Sequence, residues 1–333
     1  SVTTGGFTIN AGTWNTNGFS VVLAGDFTIG TNGTFQNSSG TLTTVGTVGI
    51  NYTDNSSSGQ NLGAVELQAD DTRTHEFLTD ITLKSLLVSS SDTISFNANT
   101  VTFTGSGAVF TVSGSFSYDT STIILECSAD CNSDNSSFYN LTLNMPTSDI
   151  TYTQDANQTI YGNSVLTKGI LARGSCTVFK CSLDLRGDLT ITGGKLNGAI
   201  SAVTFSGSST QSVTATSSTD FGVLNINNDV SVVAGSSIVS SWGVAINSGG
   251  TLDLNGNPFL VSNSGITIYS GGAFVPNNAT STIKTFNVAD LTDNPGTNNF
   301  GNLIINVDDA SVLLGTNIKA NNVIIKNNTY GLD

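Results

Sequence analysis

The sequence predicts an all-β protein, specifically a parallel β-helix or β-solenoid. Three observations carry that prediction: period-two alternation, regular turn punctuation and internal similarity. Leu189-Thr190-Ile191, Val203-Thr204-Phe205 and Thr251-Leu252-Asp253-Leu254 alternate apolar and polar residues, the pattern of a half-buried strand. Gly, Asn, Asp and Ser recur at intervals of about 8 to 12 residues, as at Asn32-Gly33, Gly193-Gly194, Gly249-Gly250, Asn255-Gly256 and Gly271-Gly272, where they supply turn geometries that other residues avoid. No segment keeps a helical period for three turns.

The self-similarity is clearest between Val230–Asp253 and Ala310–Asp333, which align without a gap at an offset of 80. Ser231/Ser311, Val232/Val312, Gly235/Gly315, Ile238/Ile318, Asn247/Asn327, Leu252/Leu332 and Asp253/Asp333 are identical. Phe7-Thr8-Ile9-Asn10 matches Val244-Ala245-Ile246-Asn247, and Phe27-Thr28-Ile29 matches Ile266-Thr267-Ile268. A further marker begins at Leu83, Phe138, Phe221 and Phe300; its last two intervals lie close to the same offset, and the first is shorter. These matches predict one continuous solenoid, 1–333, of about four degenerate ~80-residue repeats. The expected phases are 1–88, 89–144, 145–227 and 228–306, with a partial repeat at 307–333.

Tandem β-sandwich domains are the alternative. The solenoid is preferred because Pro-rich linkers do not recur at the repeat interval and no unit has a Trp-centred core. Asn and small polar residues also recur at turns, where stacked coils form ladders of like side chains. Coils of about 22 residues would number about 15 and, at ~4.8 Å each, span roughly 70 Å.

Composition narrows the partners. The chain has 10 basic and 24 acidic residues, a net charge of −14 and only 10% charged residues. Ser, Thr and Asn make up more than a third of it. Nucleic acid is excluded as a partner because phosphate binding needs clustered Lys and Arg. Anchoring to an anionic membrane surface is excluded on the same ground. No run approaches the roughly 18 apolar residues of a membrane span. Hydrophobic residues still reach 38%, enough to fill a core. Ser1-Val2-Thr3-Thr4 lacks the basic and apolar start of a signal peptide, as in a processed secreted chain.

The elements GGTLDLNG at 249–256, GDLTITGG at 187–194 and Phe300-Gly301-Asn302-Leu303-Ile304-Ile305-Asn306 resemble repeats of large bacterial cell-surface and secreted proteins of the adhesin or autotransporter-passenger type. The resemblance covers most of the chain. It implies a β-solenoid, an extracellular or cell-surface location and a structural or adhesive role, and it brings no active site with it.

The expected function is therefore a non-enzymatic structural protein without cofactor. Its expected partner is itself, in a head-to-tail homopolymer, with surface glycans as further partners. The assembly ends are expected at Phe7 and Ile9 and at Val323, Ile324 and Ile325, because neither terminus shows a polar cap over its strand edges. The alternative is a carbohydrate-binding or carbohydrate-processing β-helix, such as a lyase, a glycosidase or a phage tail-spike.

Cys127, Cys131, Cys176 and Cys181 form two close pairs in the sequence. Two disulfides are expected, either within each pair or across coils; zinc is the competing reading. The densest charge cluster is Glu66, Asp70, Asp71, Arg73, His75, Glu76 and Asp80, which holds the single His of the chain. Read as chemistry, an Asp pair with a nearby Arg is similar to the calcium and base arrangement of polysaccharide lyases; two carboxylates also suit glycoside hydrolysis. The preferred reading is a solvated loop between Leu67 and Phe77. No metal site is expected: Asp70-Asp71, Asp308-Asp309 and Asn227-Asn228-Asp229 offer oxygens but no calcium-binding array.

Overall fold

The computed structural model describes residues 2–37, 39–57, 59–68, 72–134, 137–176, 179–197, 202–216, 219–227, 229, 231–285, 289–307 and 312–327. They are all-β, with parallel sheets stacked as the turns of a β-solenoid, about 14 in all. The turns are shared between two compact units, Ser1–Ala156 with Thr167–Gly169, and Asn157–Leu166 with Ile170–Asp333. No helix among the described residues is long and apolar enough to cross a membrane.

In the first unit each coil contributes strands to stacked parallel sheets. One sheet includes Val21–Leu23, Thr41–Thr44, Ala64–Leu67 and Ser85–Val88. A second includes Phe7–Asn15, Phe27–Gln36, Asn51–Asp54, Arg73–Phe77, Asp92–Ser95 and Ser115–Ser117. A third begins at Ile81–Leu83 and continues through Thr100–Phe103, Thr122–Leu125 and Asn140–Asn144. Alternation turns every second residue inward. Register then lines like residues up from coil to coil: Val21, Leu42, Val65 and Leu86 form one buried row. Ile81, Val101, Ile123 and Leu141 form another.

The second unit repeats the scheme. Leu183, Val203, Leu224, Val244, Ile266 and Leu291 follow one another in register from coil to coil. Each such aliphatic side chain contributes about 1.5–3 kcal/mol through burial. Outside, amides form ladders of their own. Asn322 donates to Asn302 at 2.9 Å, and Asn299 donates to Asn321 at 2.8 Å.

The physical repeat is the coil. Val203 pairs with Leu224, and Leu224 with Val244, in nearly equal steps along the chain. Ile266 pairs with Leu291, a longer step that accommodates a larger corner. Residues of the long-range sequence match fall on different faces. Val232 stands in the sheet of Leu252 and Phe274, whereas Val312 pairs with Ala289 in the sheet of Ile266 and Leu291. The match therefore follows the shared alternation of strand and turn.

Corners are built by residues that tolerate left-handed backbone. Asn255 and Gly256 have φ of 48° and 78°, the geometry of a tight turn. Two corners use a buried aspartate. Asp54 and Asp293 continue rows that Ile29 and Ile268 hold on the preceding coil, and both are buried. Asp54 accepts from the backbone N–H groups of Ser56 and Gln60. Asp293 accepts from the N–H and the side-chain amide of Asn298 at 3.0 and 2.6 Å. The N–H of each Asp donates to a Thr hydroxyl one coil further on, Thr79 and Thr316. Asp293→Ala is expected to cost about 2–4 kcal/mol in urea unfolding, because it leaves buried donors without an acceptor.

Cys127 and Cys131 form a disulfide with Cα atoms 6.3 Å apart, so this pair closes locally rather than across coils. Cys181 is disulfide-bonded and buried; the side chain of Cys176 lies outside the described residues.

Candidate functional site

Arg73, His75 and Glu76 do not lie in a solvated loop. Arg73–Phe77 is a strand in which Arg73, His75 and Phe77 are buried while Thr74 is exposed. The correction follows from alternation: Arg73-Thr74-His75-Glu76-Phe77 places its first, third and fifth side chains inside. Arg73 is 3% exposed and His75 0%. Glu66 and Glu76 are half-buried, and Asp80 is exposed, its carboxylate accepting the Thr100 N–H at 2.7 Å. Asp70 and Asp71 lie outside the described residues, as do Asp308, Asp309 and Asn228. The cluster therefore divides, with its Arg and His inside and its described carboxylates elsewhere.

The carboxylate that meets them belongs to the next coil. Arg73 pairs in register with Asp92, and His75 with Ile94. Arg73 Nε lies 3.3 Å from Asp92 Oδ1, and His75 Nε2 lies 3.5 Å from the same oxygen. Arg73 also donates through Nη2 to the Gln68 carbonyl. On the other side His75 Nδ1 accepts the Ile50 N–H at 3.3 Å. A nitrogen that accepts carries no proton, so the imidazole is neutral and its proton sits on Nε2, facing Asp92. Gly49 permits this contact: a Cβ there would meet the Thr74 carbonyl oxygen at 1.8 Å.

Burial sets the electrostatics. Desolvation pushes the His75 imidazolium pKa down, Asp92 opposes that shift and Arg73 reinforces it. Burial also raises the Tyr52 phenol pKa far above its usual value, so it stays protonated. In the second unit burial lowers Arg173 to about 10, with Asp220 opposing. Arg73, His75 and Asp92 are each at most 3% exposed, so no solute reaches them in this conformation. The arrangement neutralises an arginine in an apolar core and supplies an acceptor to an edge N–H.

Beside this polar group runs a column of rings. Phe7 stacks on Phe27 with centroids 5.6 Å apart, and Tyr52 meets Phe77 edge-on at 5.2 Å. Phe77 stacks on Phe96 at 5.1 Å. Phe138 and Tyr152 are also buried, and Tyr161 lies under the Arg186 guanidinium at 4.6 Å.

The expected assembly residues differ in exposure. Ile9 is 7% exposed and faces the core, and Phe7 is half-buried on Phe27. Phe19, Trp14 and Val2 instead line a cleft of about 440 Å³ with Asn15 and Asn17. Val323, Ile324 and Ile325 are 54%, 50% and 73% exposed on the strand Asn322–Asn327.

The charge cluster points to neither Asp92 nor Tyr52. The signal for Asp92 lies in phase: Asp92-Thr93-Ile94-Ser95-Phe96 matches Arg73-Thr74-His75-Glu76-Phe77 one coil earlier. Asp92 thus takes the place of Arg73, with opposite charge.

Comparison with protein-family models, with curated proteins and with solved structures finds no match. What the molecule defines is a class, the parallel β-solenoids.

Proposed function

We propose that the chain is a non-enzymatic extracellular structural protein, a self-assembling subunit of a surface filament, sheath or adhesin stalk. Its copies join head to tail. The observation that carries this reading is the strand Asn322–Asn327. It pairs in parallel with Asn302–Val307, so that Val323 and Ile325 continue the positions of Leu303 and Ile305. Leu303 and Ile305 are buried, yet Val323 and Ile325 are mostly exposed. Among the described residues no strand pairs with the far edge of Asn322–Asn327, and core-type side chains beside such an edge favour addition of a further strand in the same register. A heterologous contact of this kind propagates into a filament. The local disulfide fits an oxidising, extracellular compartment.

Sedimentation velocity over a concentration series tests the reading. The unaltered chain is expected to form species that grow with concentration, and Val323→Asp/Ile325→Asp is expected to remain at one sedimentation coefficient. A single species for the unaltered chain at every concentration would sink the proposal. The second reading, carbohydrate binding, rests on the cleft by Trp14 and Phe19, where rings and the amides of Asn15 and Asn17 suit sugar stacking and hydrogen bonding. Retention on a glycan array that Phe19→Ala abolishes would favour it.

A further inference from the structure

We propose that the core of the first unit contains an acid-sensitive latch, in which neutral His75 ties the coil of Ile50 to its own and releases it on protonation. The geometry dictates the direction. The Ile50 N–H donates to His75 Nδ1, while the Ile50 carbonyl accepts the Glu76 N–H at 3.0 Å. Of the two described backbone hydrogen bonds of Ile50, one is therefore made to a side chain that titrates. Protonation places an N–H on Nδ1, and two donors then face each other at the Ile50 amide. The contact is lost and both groups need a new partner, which water supplies only if the coil edge opens.

The surroundings oppose a charge on the imidazole and leave no easy accommodation. Among the described residues, the charged groups that act on His75 are Arg73 on its own strand and Asp92 on the strand Asp92–Ser95, and the Tyr52 phenol on the strand Asn51–Asp54 lies near both of them. Asp92, 3.5 Å from His75 Nε2, favours the imidazolium, but its single charge is shared with the Arg73 guanidinium, and desolvation outweighs it. Asp54 is committed to the N–H groups of its own loop. The neighbouring strands Ala64–Leu67 and Ser85–Val88 turn Val65, Leu67, Leu86 and Val88 inward, and none of these titrates. The strand Ile81–Leu83 adds only Ile81 and Leu83.

The sign follows from linkage. His75 holds its proton less well in the folded unit than the ordinary imidazole, whose pKa is about 6.5 in an unfolded chain. Above that pH the latch is fully closed. As pH falls below it, the opened state gains protons that the closed state refuses, and closure weakens until the folded group itself protonates. The consequence is local opening of the coil edge at Ile50 in mildly acidic surroundings, a pH-gated loosening of one place in the stack.

The chain has one His, so its imidazole nitrogens give an unambiguous NMR signature. At pH 8 we expect the Nε2–H tautomer, with Nδ1 shifted as a hydrogen-bond acceptor. Between pH 7 and 5, after correction for intrinsic exchange, hydrogen exchange at the Ile50 amide should accelerate about tenfold or more. His75→Asn keeps an acceptor near the position of Nδ1 and removes the titration, so its Ile50 protection should not change with pH. Three results would overturn the latch: an Nδ1–H tautomer, imidazole protonation that leaves Ile50 protection unchanged, or the same acceleration in His75→Asn. If His75→Asn does not fold, the tautomer and the exchange profile of the unaltered chain still decide the matter.

Discussion

Asp92→Ala is expected to lower the unfolding free energy by about 3–5 kcal/mol, because it strands the Arg73 guanidinium in an apolar interior. Arg73 is 3% exposed, and its side chain otherwise reaches only the Gln68 carbonyl among its described hydrogen bonds. The loss should exceed the worth of the pair itself. Attraction between the two charges only offsets their desolvation, whereas an uncompensated charge bears the whole penalty. The double substitution Arg73→Met/Asp92→Leu should therefore recover most of the loss and stand within about 1–2 kcal/mol of the unaltered chain. Urea unfolding of the single and double variants measures both values. A single-variant loss below about 1 kcal/mol, the range of an exposed ion pair, would mean that the guanidinium reaches water and that the interior is not sealed there.

The second large effect is expected from the ring column. Phe77→Ala should cost about 3–5 kcal/mol. Phe77 is fully buried, stacks on Phe96 at 5.1 Å and meets Tyr52 edge-on at 5.2 Å. In-register coils hold these neighbours apart at fixed spacing, so the site collapses poorly and the cavity term stays large. Phe19→Ala provides the contrast. Phe19 is 65% exposed, and its loss should change stability by no more than about 0.5 kcal/mol. Thermal or urea unfolding of the two variants separates them; similar costs for both would contradict the placement of Phe77 inside.

The fold is legible in the sequence because solenoid strands obey local rules. Leu183-Asp184-Leu185 and Val203-Thr204-Phe205 alternate cleanly, and the structure places Leu183 over Val203 and Leu185 over Phe205. The buried polar group is hidden because composition outweighs phase. Arg73, His75, Glu76 and Asp80 crowd into one short stretch, which reads as a solvated loop. The alternation through Arg73-Thr74-His75-Glu76-Phe77 is nevertheless present, and Phe77 marks its inward phase. Asp54 and Asp293 are hidden for a related reason. An Asp at a turn usually faces water, and only the shared Thr-Asp-Asn at 53–55 and 292–294 distinguishes these two. Each ends an inward row, so its carboxylate turns to the loop's own N–H groups. The partner of Arg73 stands one full coil further along the chain, and only knowledge of the coil length brings Asp92 beside it.

Self-assembly is the central functional claim, and negative-stain electron microscopy of the purified chain over a concentration series tests it most directly. Filaments are expected that lengthen with concentration and disappear in Val323→Asp/Ile325→Asp. Discrete particles of one size at every concentration would contradict it and turn attention to the cleft beside Trp14 and Phe19.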